Sequence, residues 1–199
     1  MNITKAQLKT QFDRAKRLNW IPHFAEAVNK HTSGYFDVAD LMAIGSRETN
    51  LDPKWLTKAG DKGNGFGLMQ IDRRSFPEFT GTDKWKDARI GILYGAKVLM
   101  QKWADFEKNV GKSLTVRSSK GGIFRYTAKP ASGVTAQKIA ISSYNCGRWA
   151  QYCHSKGQDI DAYSTGKDYA ADVMERAAVI RSFLNKNYEI SPKNNPFKN

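Results

Sequence analysis

The sequence predicts a mainly α (α+β) fold: a helical domain that carries a small β-hairpin element. Three observations support this. Apolar residues recur at spacings of three and four in several separate segments, the signature of helices with one buried face. The apolar runs are short. The richest, Ile92 to Met100, is broken by Lys97 and falls well below the ~20 residues of a membrane-spanning helix. Two stretches lack helical spacing and are instead glycine-rich or hairpin-like.

Leu8, Phe12 and Ala15 define the first helix, with Thr4 as its cap. Pro22 opens a second helix that runs to about Lys30, since proline is tolerated in a first turn. Val38, Leu41, Met42 and Gly45 form one face of a third. Ile92, Ala96, Leu99, Trp103 and Phe106 keep a 4-3-4-3 spacing and predict a long helix from about Asp87 to Lys108. Another helix covers Thr135 to Tyr144. A last one, from Gly166 to Asn185, carries Tyr169, Val173, Ala177, Ile180 and Leu184 on one stripe. Gly60–Asp72 reads as loops with short strands. Leu114–Val116 and Ile123–Tyr126, joined through Lys120-Gly121-Gly122, read as a β-hairpin.

The chain has 199 residues, 40% of them apolar, 12% aromatic and 26% charged, which suits one globular domain. A disordered tail protein, a collagen-like fibre and a disulfide-dense scaffold are excluded. The first 20 residues scatter charges among their apolar residues and lack a secretory apolar centre. The expectation is a mature chain or one exported by another route. The formal charge is +13, from 16 basic and 11 acidic groups in residues 1–100 and 16 and 8 in residues 101–199. Positive charge spread in this way attracts polyanions in general: nucleic acid, anionic membrane or bacterial wall. No helix-turn-helix or RNA-binding signature accompanies it. The two cysteines, Cys146 and Cys153, stand as either a bridge or two thiols. With His154 they lack the fourth ligand of a zinc site, so no metal or cofactor is expected.

Three short motifs carry possible chemistry. Glu48 ends the third helix, seven residues after Leu41 and three after Gly45, near the apolar stripe. Apolar surroundings disfavour a carboxylate and raise its pKa, which suits a general acid; a solvated helix-end glutamate paired with Arg47 is the plainer alternative. The run Gly60-Asp61-Lys62-Gly63-Asn64-Gly65-Phe66-Gly67-Leu68-Met69-Gln70-Ile71-Asp72 has the glycines for a tight turn and close approach to a ligand. It has no phosphate-loop ending and no calcium-loop alternation of oxygen ligands. Ser142-Ser143-Tyr144-Asn145-Cys146-Gly147, at a helix end, offers a flat ring and an amide, or simply terminates the helix.

Taken in order, Gly45-Ser46-Arg47-Glu48, the glycine-rich run, Ser-Tyr-Asn and Asp168-Tyr169-Ala170-Ala171-Asp172-Val173 closely resemble the goose-type lysozymes, relatives of the catalytic domain of soluble lytic transglycosylases. The resemblance covers roughly Val38 to Leu184. It implies a lysozyme-like catalytic domain, expected as a single domain over 1–199 with an N-terminal helical extension over 1–35; Pro192, Asn194, Asn195 and Pro196 point to a flexible tail over 186–199. The resemblance also implies a monomeric hydrolase acting on the extracytoplasmic bacterial wall, whether secreted, injected or phage-released, with peptidoglycan as partner and neither nucleic acid nor membrane insertion. The bond would be the β-1,4 link from N-acetylmuramic acid to N-acetylglucosamine. Glu48 would be the general acid, Asp61 and Asp72 would hold the attacking water, and Gln70, Tyr144, Asn145 and Tyr169 would line the sugar cleft. Cys146 stands where the family often has alanine, the cysteines are not at the avian positions, and Val110–Gly133 reads as an insertion that could reshape a cleft edge. Two other readings share the fold. A lytic transglycosylase would use the muramic 6-hydroxyl in place of water and leave anhydro ends. A non-catalytic wall or chitin binder would be expected to have lost Glu48.

Overall fold

The computed structural model describes residues 3–187; most of the expected tail lies outside the described residues. Among the described residues, eight α-helices and two antiparallel two-stranded sheets make a mainly α, lysozyme-like architecture. Among the described residues no helix is long and apolar enough to cross a membrane. The described residues pack as two compact units, one from residues 3–97 together with 173–187, the other from Val98 to Asp172.

In the first unit, α1 (Lys5–Arg17) starts at a capping box. Thr4 accepts from the Gln7 N–H, and the Gln7 side chain accepts from the Thr4 N–H. Leu8, Phe12 and Ala15 are buried, and Arg14, Lys16 and Arg17 stand in the last turn, where positive charge opposes the helix dipole. α2 (Ile21–His31) has Pro22 in its first turn and buries Ile21, Phe24, Ala27 and Val28. α3 (Val38–Thr49) is buried almost all round, from Val38 and Ala39 through Leu41–Ser46 to Thr49. Its start is fixed by Asp37 and Asp40, which cap reciprocally and share Arg181. Burial, and then the neighbouring Asp37 charge, push the Asp40 carboxyl up to about 6. Strands β1 (Gly65–Phe66) and β2 (Ile71–Asp72) pair Gly65 with Asp72 and Phe66 with Ile71. The short helix α4 (Pro77–Thr80) follows them.

α5 (Ala88–Asn109) supplies residues to both units, as does α8 (Tyr169–Asn187). The second unit buries Leu99, Trp103 and Phe106 of α5. The expected hairpin is present as β3 (Ser113–Arg117) and β4 (Ile123–Thr127). α6 (Gly133–Cys146) buries Ala136, Ile139, Ala140 and Ile141. A further helix, α7 (Trp149–Ser155), packs Trp149 and Tyr152 against Val116, Tyr126 and Ala128 of the hairpin region. Two starts differ from the sequence expectation. α6 begins at Gly133, just after the extended Ser132, rather than at Thr135. α8 begins at Tyr169, because Gly166 and Lys167 both take positive φ and hold the preceding 3-10 turn out of register.

Candidate active site

The third helix ends where Asn50 adopts a left-handed conformation, with φ 54°. Leu51, φ 49°, continues the reversal. Side chains from the first helix hold this end: Arg14 Nη1 donates to the Asn50 carbonyl at 3.1 Å, and Gln11 Nε2 to Asn50 Oδ1 at 3.1 Å. Gln11 and Arg14 of α1 thus support the α3 C-terminus within the same unit. One turn earlier, Ser46 Oγ donates to Gln11 Oε1 at 2.6 Å and accepts from the buried Arg176 at 2.9 Å. This satisfied polar network fixes the last two turns of α3. Glu48 sits there half-buried, between the half-buried Arg47 and the buried Thr49. Thr49 Oγ1 bonds to the carbonyls of Gly45 and Leu68, both at 2.9 Å. Since Leu68 lies in the β1–β2 turn, this hydroxyl ties the Glu48 end of α3 to the glycine-rich run.

That run folds back on itself. Gly60 N–H donates to the Gly65 carbonyl at 2.7 Å, and the Gly65 N–H returns to Gly60 at 3.1 Å. Asp61 and Lys62 both take left-handed φ values at the tip. Gln70 is also left-handed, φ 46°, and its amide nitrogen donates to the Gly67 carbonyl at 2.9 Å. Its amide oxygen lies where Gly60 and Gly65 leave room: a Cβ at those positions would approach it to 2.0 and 2.4 Å. The structure therefore places Gln70 inside the loop, where its side chain holds the loop's shape.

Asp61 and Asp72 come together through a cation. Arg74 lies 2.9 Å from Asp72 and 3.6 Å from Asp61. The second Asp72 oxygen accepts from Ser75 Oγ at 2.8 Å. The side chain of Asp61 is 65% exposed and that of Arg74 69%, so the bridge is worth about 0–1 kcal/mol and is easily exchanged for another partner. Glu48, Asp61, Asp72 and Gln70 belong to the first unit. Arg74, Ser75 and Thr49 were not singled out from the sequence. The run Asp72-Arg73-Arg74-Ser75, with a donor two and three residues after the acid, is the signal that could have found two of them.

Tyr144, Asn145 and Tyr169 belong to the second unit. Tyr144 is half-buried near the end of α6. Asn145 is exposed, and its Oδ1 accepts from the Thr165 N–H at 2.8 Å. Tyr169 is 1% exposed, with no ring face open for a sugar to stack on. It lies on the same stripe as the buried Val173, Ala177 and Ile180, which explains its inward direction. Cys146 and Cys153 are free thiols. Desolvation pushes both up, Cys153 to about 11, so neither is a thiolate at neutral pH. Among the described residues no group of three His, Cys, Asp or Glu side chains is gathered to hold a metal ion.

No family model matches the chain. Curated relatives do. The chain is 30% identical to lysozyme g of Struthio camelus over 141 residues, covering 71% of this chain and 57% of that protein. It is 32% identical to lysozyme g of Cyprinus carpio over 146 residues, covering 73% and 65% respectively. A third, lysozyme g of Casuarius casuarius, is 30% identical over 71% of this chain and 63% of that protein. The chain thus spans about three fifths of the length of the relatives it matches. Through that matched stretch, the chain belongs to the goose-type lysozyme family.

Proposed function

We propose that this chain is a peptidoglycan hydrolase, a muramidase that cleaves the β-1,4 bond between N-acetylmuramic acid and N-acetylglucosamine with inversion. The observation that carries the reading is the bond from Thr49 to Leu68, which ties the helix end bearing a half-buried Glu48 to the loop bearing Asp61 and Asp72. Glu48 protonates the glycosidic oxygen as its bond to the anomeric carbon breaks. A water on the opposite sugar face attacks that carbon and gives its proton to Asp61 or Asp72. The attack needs an open space between acid and base, with carboxyls about 6.5–9.5 Å apart. Arg74 occupies the aspartates without substrate, and its weak, exposed bridge gives way when a water and sugar take its place. Tyr144 and Asn145 contact the sugar chain, and the enzyme works as a monomer at the extracytoplasmic wall.

The pair of aspartates favours water over an internal hydroxyl as nucleophile. Asp61→Asn and Asp72→Asn are each expected to slow wall hydrolysis roughly 10–100-fold, with the double variant slower still. Inversion is read from proton NMR of a fresh digest of a soluble N-acetylglucosamine oligosaccharide. The α-anomer appears first if the reading holds, and the β-anomer appears first if it fails.

The charge has a role on the same substrate. Bacterial walls carry phosphate polymers and peptide carboxylates, to which a +13 chain is drawn. Raising salt from about 0.02 to 0.15 M shortens the range of that attraction from roughly 20 to 8 Å. Wall lysis followed by turbidity should fall steeply over this interval. A flat profile would remove charge from the account.

A further inference from the structure

The second unit carries a cluster of rings that the catalytic reading leaves unused. Trp149 and Tyr163 stack with centroids 4.1 Å apart and planes 20° from parallel. Phe124 and Tyr152 meet Trp149 edge-on, at 5.5 and 5.4 Å. The cluster is open to solvent: Tyr163 is 48% exposed and Phe124 37%. Exposed aromatic groupings of this kind are uncommon without a binding role. The cause lies in the hairpin. Alternation along β3 and β4 puts Phe124 on the same face as the buried Val116 and Tyr126, yet leaves its ring partly exposed, while Arg117 and Arg125 face out on the other side.

Two further observations point to the occupant. From Lys108 to Gln158 the sequence holds nine lysines and arginines and no aspartate or glutamate, although Arg148 is paired with Asp105 and Lys138 with Asp159 across the ends of that stretch. No carboxylate of that stretch repels an anionic chain, and Lys156 stands 5.9 Å from the Tyr152 ring centre. The next two acids are engaged. Asp159 lies 3.6 Å from Lys138, and the buried Asp161 accepts from the Ala170 and Ala171 N–H groups. The cluster also continues from the candidate sugar contacts. The Thr165 N–H, two residues after Tyr163, is the donor to Asn145, and Trp149 follows Asn145 by four residues.

We infer that the stacked Trp149–Tyr163 pair, flanked by Phe124, is an additional sugar subsite. It takes an N-acetylhexosamine ring of a carboxylate-bearing glycan strand and extends the path that begins at Tyr144 and Asn145. The choice of glycan rests on the wall-hydrolase reading. The C–H face of a pyranose ring packs on an exposed aromatic face, while the surrounding cations attract the strand's carboxylates. Single-stranded nucleic acid also stacks on rings in basic surroundings. The junction with Asn145 favours the glycan.

The test uses the whole chain in a Glu48→Gln background, so that the wall is not consumed. The probes are purified peptidoglycan sacculi, freed of protein, nucleic acid and phosphate polymers, and a short single-stranded oligonucleotide. Tyr163→Ala should reduce retention on sacculi about tenfold, the scale of one lost aromatic stack, while a thermal melt shows the variant, which also loses its stack on Trp149, still folded at the assay temperature. Tyr163→Trp should restore it. Unchanged retention in Tyr163→Ala would overturn the subsite, as would tyrosine-dependent binding of the oligonucleotide but not of sacculi. Binding is read without turnover. If the enzyme with Glu48 intact fails to cut walls but Tyr163→Ala still loses retention, the hydrolase reading falls and the subsite stands.

Discussion

Glu48→Gln is expected to lower the rate of wall hydrolysis by roughly 10²–10⁴-fold, the range for a lost general acid. Glutamine keeps the length and shape of the side chain but has no acidic proton to give to the leaving oxygen. The helix that carries it is held by other groups: Asp37 and Asp40 at its start, and Gln11, Arg14 and Arg176 at its end. The variant should therefore melt close to the parent while clearing sacculi far more slowly. Turbidity and a thermal melt on the same preparation separate a chemical loss from an unfolded one.

Gly67→Ala should be the most damaging single-methyl change in the glycine-rich run. Gly67 has φ +71°, and a Cβ there would stand 2.8 Å from the backbone carbonyl oxygen of Trp85. The left-handed conformation alone costs an L-residue about 1–2 kcal/mol. The carbonyl is backbone and cannot swing aside like a flexible side chain, so the total should reach about 2–4 kcal/mol. For a chain of this size that lowers the melting temperature by on the order of 5–15 °C. Gly63→Ala is the control. Gly63 also has positive φ, +91°, but nothing lies within 4 Å of the added carbon. It should cost only the conformational part, so the difference between the two variants measures the Trp85 contact. Equal melting temperatures would mean that the loop moves away freely.

Much of the helical frame was legible because burial and spacing agree. Leu8, Phe12 and Ala15, and likewise Ile92, Ala96, Leu99, Trp103 and Phe106, are buried as their spacing requires. Position 48 was legible in the same way, next to a stripe that turned out to wrap almost the whole of α3. α7 was not legible. Its seven residues are too few to display a period, and its place depends on Trp149 and Tyr152 meeting a hairpin more than twenty residues earlier in the chain. Family resemblance alone pointed Tyr169 toward sugar, while the 4-4-3 spacing with Val173, Ala177 and Ile180 already pointed it inward. The Gln70 side chain is a similar case. Its seat between Gly60 and Gly65 depends on a backbone reversal with several non-glycine residues at positive φ, which no periodicity encodes. Counting charges by halves concealed the acid-free run from Lys108 to Gln158, because the acids at either end of the second half balance the sum.

In the proposed reaction, the half-buried Glu48 carboxyl drives water-dependent cleavage of the glycan backbone. Mass spectrometry of sacculi digested in parallel by the unmodified chain and by Glu48→Gln tests it most directly. Muropeptides with ordinary reducing ends are expected from the unmodified chain, and almost no soluble product from the variant. Products lighter by one water, the mark of anhydro ends, or equal release by both proteins would contradict it.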